Sequence, residues 1–134
     1  MALNFLDPLV ELTAALRGDT GLTALVPALS IGNHLPQDRP MPYIRYRYDP
    51  GSDWSQKDSA GLDGTIIIDL WTDQHGDKHL LQMMTEIHRV LYNLPFAGTT
   101  QQSLLLQFDS STFFYEPDGV THHGVMNFRY ILTN

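Results

Sequence analysis

The residues best suited to chemistry in this chain are its six histidines. His75, Asp77 and His79 lie two residues apart, and imidazole with carboxylate is a zinc-binding combination. On a helix, that spacing turns Asp77 away from both histidines, and no third ligand follows in sequence. His122 and His123 are adjacent in an extended segment, so they point to opposite faces. His88 flanks an apolar stripe and reads as a boundary residue, while His34 sits in a proline-rich connector without a partner in sequence. Zero cysteines exclude disulfides and thiolate metal sites. The phosphate-cradling patterns G-x-x-x-x-G-K-[ST] and G-x-G-x-x-G are absent, as is the nucleophile pattern G-x-S-x-G. The carboxylates are scattered over turns and not paired for acid–base work. The expectation is no catalytic residue, no cofactor and no metal ligand set. A small intracellular enzyme working through His75, His79 or His88 is the rival reading.

Charge and composition narrow the classes further. The net charge is −7, from 15 acidic against 8 basic residues. Nucleic-acid binding needs a basic footprint, and the nearest approach to one is Arg45 and Arg47 on one side of a strand. An acidic balance otherwise keeps a chain in solution. No window approaches the ~18 consecutive apolar residues of a membrane span, and MALNFLDPLVEL lacks the basic leader of a signal peptide. At 134 residues with 43% apolar composition, one globular domain over residues 1–134 is expected.

The elements that must position any site follow from periodicity. The spacing predicts a long helix over Asp77–Leu94, where Leu80, Met83, Met84, Ile87, Val90, Leu91 and Leu94 form one apolar stripe. Asp73 or Asp77 is its expected cap and Pro95 its stop. A first helix is expected over Asp7–Arg17, capped by Asp7 with Pro8 at its first position and Leu9, Leu12, Ala15 and Leu16 buried. A short helical turn, DTGLTALV, follows, with Asp19 or Thr20 as cap. Residues 28–42 read as a proline-rich connector with a strand-like piece around Leu29–Ile31.

Strand alternation is clear at Pro42–Tyr48, with Ile44, Tyr46 and Tyr48 on one side. It recurs at Thr65–Thr72, where Ile66, Ile68 and Leu70 share a face. Between them, Asp49–Gly64 reads as one long polar loop holding Trp54, either a contact residue or a ring tucked back on the sheet. Phe96–Thr100 is expected to be loop. Ser103–Phe108 is expected as a strand with Leu104, Leu106 and Phe108 inward, turned at Asp109–Ser111 and returned by Thr112–Glu116. Pro117–Asp118–Gly119 is a turn signal. His122–Leu132 is the last strand, with Met126, Phe128, Tyr130 and Leu132 on one side. The fold class expected is α+β, a mostly antiparallel sheet of four to five strands with two main helices on one face.

The second face of that sheet is mixed. It carries Tyr43, Arg45, Arg47, Ile67, Asp69 and Trp71 from the first two strands. Leu105, Gln107, Phe114, Val125, Asn127, Arg129 and Ile131 come from the later ones. A solvated antiparallel face is normally polar, whereas aromatics and arginine favour interface centres. The candidate contact residues are Arg45, Arg47, Trp54, Lys57, Asp69, Trp71 and Arg129, with the arginines open to pairing with Asp69 or Glu116. The competing expectation is that the termini or the first helix cover this face.

Four pieces in this order carry a family resemblance. They are the N-terminal helix PLVELTAALRGDTGLTALV and the connector I-x-N-x-L-P-Q-D-R-P-x-P-Y-I at Ile31–Ile44. Then come D-L-W-T-D at Asp69–Asp73 leading into the helix of Gly76–Leu91, and E-P-D-G-V-T-H-H-G-V-M-N-F-R-Y at Glu116–Tyr130. Together they resemble the phage tail-terminator and tail-completion family of long-tailed phages, prophages and gene-transfer agents. The resemblance implies a ring of identical subunits, usually a hexamer, at the head-proximal end of the tail tube. The ring would stop tube polymerisation and dock to the head connector, after assembly in the host cytoplasm. The implied partners are the chain itself, the tail-tube protein and a head-completion or connector protein, with DNA only passing through an acidic lumen and no membrane. No cofactor or catalytic residue comes with the family. A monomeric head–tail adaptor or head-closure factor is the neighbouring alternative.

Overall fold

A computed structural model describes residues 3–36, 38–57, 60–92 and 103–133. Helix α1 spans Asp7–Gly18 and helix α2 Thr20–Thr23, followed by a 3₁₀ turn at Ala28–Ser30 and the two-residue strand β1, Ile31–Gly32. Strands β2 (Tyr43–Asp53) and β3 (Gly61–Thr72) precede helix α3 (Lys78–Tyr92), and strands β4 (Ser103–Tyr115) and β5 (His122–Thr133) close the chain. The strands form one sheet in the order β1-β2-β3-β5-β4. β1 runs parallel to β2, and every other pairing is antiparallel. The expected α+β class is observed, with five strands among the described residues. The expected loop at Phe96–Thr100, and Leu94 and Pro95 at the end of the long helix, lie outside the described residues.

α3 forms where its stripe predicts. Leu80, Met83, Met84, Ile87 and Leu91 are buried against the sheet, with Val90 packed beside them. Each such side chain contributes about 1.5–3 kcal/mol by leaving water. Their counterparts on the sheet are Ile44 and Tyr46 of β2, Ile66, Ile68 and Leu70 of β3, and Met126, Phe128, Tyr130 and Leu132 of β5. α1 adds Leu12 and Leu16 to the same core, and α2 adds Leu22. One polar contact is enclosed between α1 and the sheet. The Thr13 hydroxyl donates to the Leu9 carbonyl at 2.9 Å, leaving its oxygen to accept the Tyr46 hydroxyl.

The α1 cap differs from expectation. Asn4 Oδ1 accepts the N–H groups of Leu6 (2.9 Å) and Asp7 (3.1 Å), and Asp7 stands inside the helix. Asp19 does cap α2, accepting the Leu22 N–H at 2.9 Å. Arg89 of α3 reaches the same carboxylate at 2.5 Å and Glu86 at 2.6 Å, tying the helices together at the surface.

Two expectations are overturned in the sheet. Asp49–Gly64 is not one long loop, because β2 continues to Asp53 and β3 begins at Gly61, with Ser52 opposite Asp63 and Asp53 opposite Leu62. Backbone pairing needs no apolar side chain, so polar residues extend the hairpin without showing alternation. The register slips between Asp49 and Ser52, and Gly51 sits there at φ +75°, where a Cβ would come within 2.0 Å of the Asp63 carbonyl oxygen.

Likewise Ser103–Tyr115 is one strand. The expected reversal at Asp109–Ser111 is a bulge, the register stepping from Phe108 opposite Phe128 to Ser110 opposite Asn127. Asp and Ser favour turns, but a bulge absorbs an extra residue without turning the chain. The three expected closing strands are therefore two. Phe108 faces the helix side as expected, edge-on to His88 and Phe128, and stays 38% exposed.

The Pro117–Asp118–Gly119 turn is as read, with Gly119 at φ +73°. Asp118 accepts the Val120 and Thr121 N–H groups, each at 2.8 Å, and the Thr121 hydroxyl at 2.6 Å. Those bonds, the Thr121 hydroxyl foremost, hold its carboxyl below the usual carboxylate range. A lowered carboxyl contributes stability above its unfolded value of about 4, and loses it as pH falls through the folded value. Asp118→Asn should therefore narrow the gap in melting temperature between pH 7 and pH 3. An unchanged gap would show that the turn does not carry this linkage. Ile87→Asp should place an unpaired charge in the core, cost on the order of 4 kcal/mol or more, and abolish the cooperative near-UV melt. A soluble variant melting like wild type would mean the helix faces the other way.

Candidate interaction surface

The helix side of the sheet is covered over β2, β3 and β5; the stacked rings and paired charges of this chain lie on the other side. Strand register sets four side chains in one row across it, Tyr43 of β2, Trp71 of β3, His123 of β5 and Phe114 of β4. Their rings touch in sequence. Tyr43 stacks on Trp71 at 4.9 Å between centroids, Trp71 on His123 at 4.4 Å, and His123 meets Phe114 at 4.8 Å. The Arg45 guanidinium lies 5.2 Å from the Trp71 ring centre, a cation–π contact.

Beside this row, His123 is held by two carboxylates. Nε2 lies 3.0 Å from Asp69 Oδ1 and Nδ1 lies 3.0 Å from Glu116 Oε1. Each carboxylate can accept a hydrogen bond from the ring nitrogen that faces it. Arg47 Nε donates to the other Asp69 oxygen at 3.3 Å. Asp69 is thus buried at 3% exposure on an otherwise open face, roofed by its own partners. Two rows along, Arg129 forks onto Asp63, donating from Nε to Oδ1 at 3.0 Å and from its terminal nitrogen to Oδ2. That hydrogen bond from Arg129 holds the Asp63 carboxyl below its ordinary value.

The structure gathers Arg45, Arg47, Asp69 and Trp71 into one cluster and sets Arg129 apart from it. Of the three arginines, Arg47 pairs with Asp69, Arg129 pairs with Asp63 instead, and Arg45 takes the tryptophan face. Trp54 and Lys57 stand off the cluster, at the tip of the β2–β3 hairpin. Trp54 belongs partly to each of its two readings. Its ring lies over Gly61, where a Cβ would come within 2.6 Å, while 40% of the residue stays exposed. Its backbone N–H donates to the Gly61 carbonyl at 3.0 Å. Lys57 is exposed. His123 was missed as a member of this surface. Its alternation with Val125 placed it on this face, but its carboxylate partners come from β3 and from the turn after β4.

Apart from Asp69, the outer-face residues are half-buried or exposed, among them Arg45, Arg47, Leu105, Phe114 and Arg129. α1 and α3 pack on the opposite face, so the first helix is not the cover once considered for this one.

Of the other histidines, His79 and His88 are packed into the structure. His79 is buried, and its ring joins three elements, with Nδ1 at 2.8 Å from the Thr72 hydroxyl and Nε2 at 3.2 Å from the Leu25 carbonyl. One proton, on Nε2, satisfies both contacts. Thr72 Oγ1 also accepts the Gln74 N–H at 3.3 Å, at the turn into α3. Asp77 accepts the Tyr115 hydroxyl at 2.9 Å. His75 and His34 are exposed, and His88 is half-buried, stacked on Tyr92 at 5.4 Å and edge-on to Phe108 at 5.1 Å. Among the described residues, no group of three or more His, Cys, Asp or Glu side chains is placed to hold a metal ion. Nor is any described helix long and apolar enough to cross a membrane.

Comparison with known proteins joins this geometry to a family. A chain from a solved structure described as "Virion of native gene transfer agent (GTA) particle" superposes with a TM-score of 0.79 at 20% identity, covering 92% of each chain. A second solved structure matches with a TM-score of 0.61 at 15% identity, over 92% of this chain and 94% of the other. At such identities the likeness speaks for the fold. No curated protein matches the sequence. The sequence profile described as "Tail completion protein gp17" matches residues 10–133, nearly the whole chain. The chain belongs to the tail completion protein gp17 family and is a structural protein of the phage-type virion tail.

Proposed function

We propose that this protein is the subunit of a ring, hexameric as the resemblance to tail terminators implies. The ring caps the head-proximal end of the tail tube, stops tube polymerisation and offers a docking surface to the head connector. The observation that carries this reading is the asymmetry of the sheet. One face is covered over β2, β3 and β5 by the chain's own helices, and the other presents stacked aromatics and arginines over a buried carboxylate. Surfaces of that composition suit protein contacts, and the partners named by this reading are further copies, the tail-tube protein and the connector. The activity is binding, with no catalytic step. DNA would only pass through the lumen, where the net charge of −7 disfavours sticking.

Size-exclusion chromatography with light scattering, run with and without tail-tube protein, tests the ring. A closed oligomer of defined mass is expected. A chain that remains monomeric in both conditions would overturn the ring and favour the monomeric adaptor or head-closure reading. Trp54→Ala should fold with a melting temperature within about 5 °C of wild type, since only an exposed ring and its contact with Gly61 are lost. The same variant should reduce assembly; unchanged tail maturation would remove the hairpin tip from the interface.

A further inference from the structure

The inner face of the sheet changes character at one end. Its rows run from Ile66 opposite Phe128 through Ile68 opposite Met126 to Leu70 opposite Gly124. The next row is polar, with Thr72 opposite His122 and Tyr115 of β4 on the far side of His122. A cavity of about 380 Å³ adjoins this row. Asp73, His75 and Gly76 line it from the turn into α3, and Tyr115, Val120 and His122 from β4, β5 and the turn between them.

His122 is only 4% exposed, and Tyr115 stands edge-on to its ring at 4.3 Å. Its Nδ1 is buried and meets no hydrogen-bond partner among the described residues. A buried polar nitrogen is costly in that state, so a partner belongs there. The charges around the cavity select its kind. The Asp73 carboxylate is exposed and has no partner among the described residues. Asp77 accepts the Tyr115 hydroxyl at 2.9 Å and stands at the start of α3, where a carboxylate offsets the positive end of the helix. No lysine or arginine lines the cavity; Lys78 lines the groove between α2 and α3 instead. An anion is disfavoured by this wall, and a cation that donates hydrogen bonds is favoured. With its proton on Nε2, the His122 ring offers Nδ1 as an acceptor. Tyr115 and Val120, both more than half exposed, give apolar surface for a methylene stem.

We propose that this cavity receives a lysine or arginine side chain of a different protein. The chain's own cations are mostly engaged. Arg17 and Arg39 donate to backbone carbonyls, Arg47, Arg89 and Arg129 pair with carboxylates, and Arg45 lies on Trp71. A chain of net charge −7 is complementary to a basic neighbour rather than to itself. The inference takes from the reading above only that this chain works in contact with other proteins.

The probe is a capped Gly-Ser-Lys-Ser-Gly peptide, titrated into the isotope-labelled chain and read by side-chain NMR of His122 and Tyr115. Saturating shifts with a Kd on the order of 1 mM are expected. Peptides with norleucine or glutamate in place of the lysine should leave both resonances unmoved. Asp73→Asn and His122→Phe, the latter read at Tyr115, should each weaken binding about tenfold. Asp73 is exposed, so its variant keeps the test whole should His122→Phe misfold. Shifts that never saturate, an equal response to norleucine, or unchanged affinity in Asp73→Asn overturns the proposal. Ammonium chloride alone giving the same shifts would make this a site for free cations and overturn the side-chain occupant. Loss of wild-type self-association in Asp73→Asn, read by light scattering, would assign the cavity to a second copy and overturn the foreign partner. The peptide is read on the chain in any oligomeric state. A failure here therefore leaves the ring standing, and a wild type that stays monomeric leaves this cavity standing.

Discussion

Everything in this structure depends on α3 covering one side of an antiparallel sheet. Its stripe of Leu80, Met83, Met84, Ile87 and Leu91 removes the inner residues of β3 and β5 from water. The polar anchor of that packing is His79, whose ring bonds to Thr72 at the end of β3 and to the Leu25 carbonyl. A buried imidazole with both nitrogens satisfied costs little and fixes where the helix starts relative to the sheet. Once one face is committed in this way, the period-2 geometry of strands sends every alternate side chain to the other. The composition of the outer face is then a free choice of the sequence.

That choice is unusual for a solvated sheet. A row of four rings crosses four strands, and beside it Asp69 is buried beneath Arg47 and His123. Arg47 is largely exposed, so its pair with the buried Asp69 contributes modestly to stability, and the cluster suits the contact role proposed above. Rigid stacked rings and already-paired arginines lose little conformational freedom when another protein covers them. The covered face thus makes the fold stable, and the outer face carries the residues of the proposed contacts.

The fold likeness at 20% identity is consistent with this division. What two such chains must share to keep the architecture is the helix stripe, the inward alternation of the strands and the tight turns, and these tolerate exchange among apolar residues of similar volume.

Read alone, the sequence determined the local elements and their inner faces. Apolar spacing in α3, alternation in β2, β3 and β5, and the proline–aspartate–glycine turn before β5 each carry their signal within a few residues. It also determined which arginines and aromatics share the outer face, because face follows from parity. Tertiary structure alone decided the rest. The hairpin of β2 and β3 extends through Asp49–Asp53 and Gly61–Gly64 by backbone pairing, which leaves no side-chain pattern to read. Asp109–Ser111 became a bulge and not a turn because β5 was present to hold both halves of β4 in register. His123 met Asp69 only when the distant strands β3 and β5 paired. The strand order, which puts β4 at one end and β1 at the other, is written in no local spacing. Edges are a property of the assembled sheet, and so are the surfaces left over for partners.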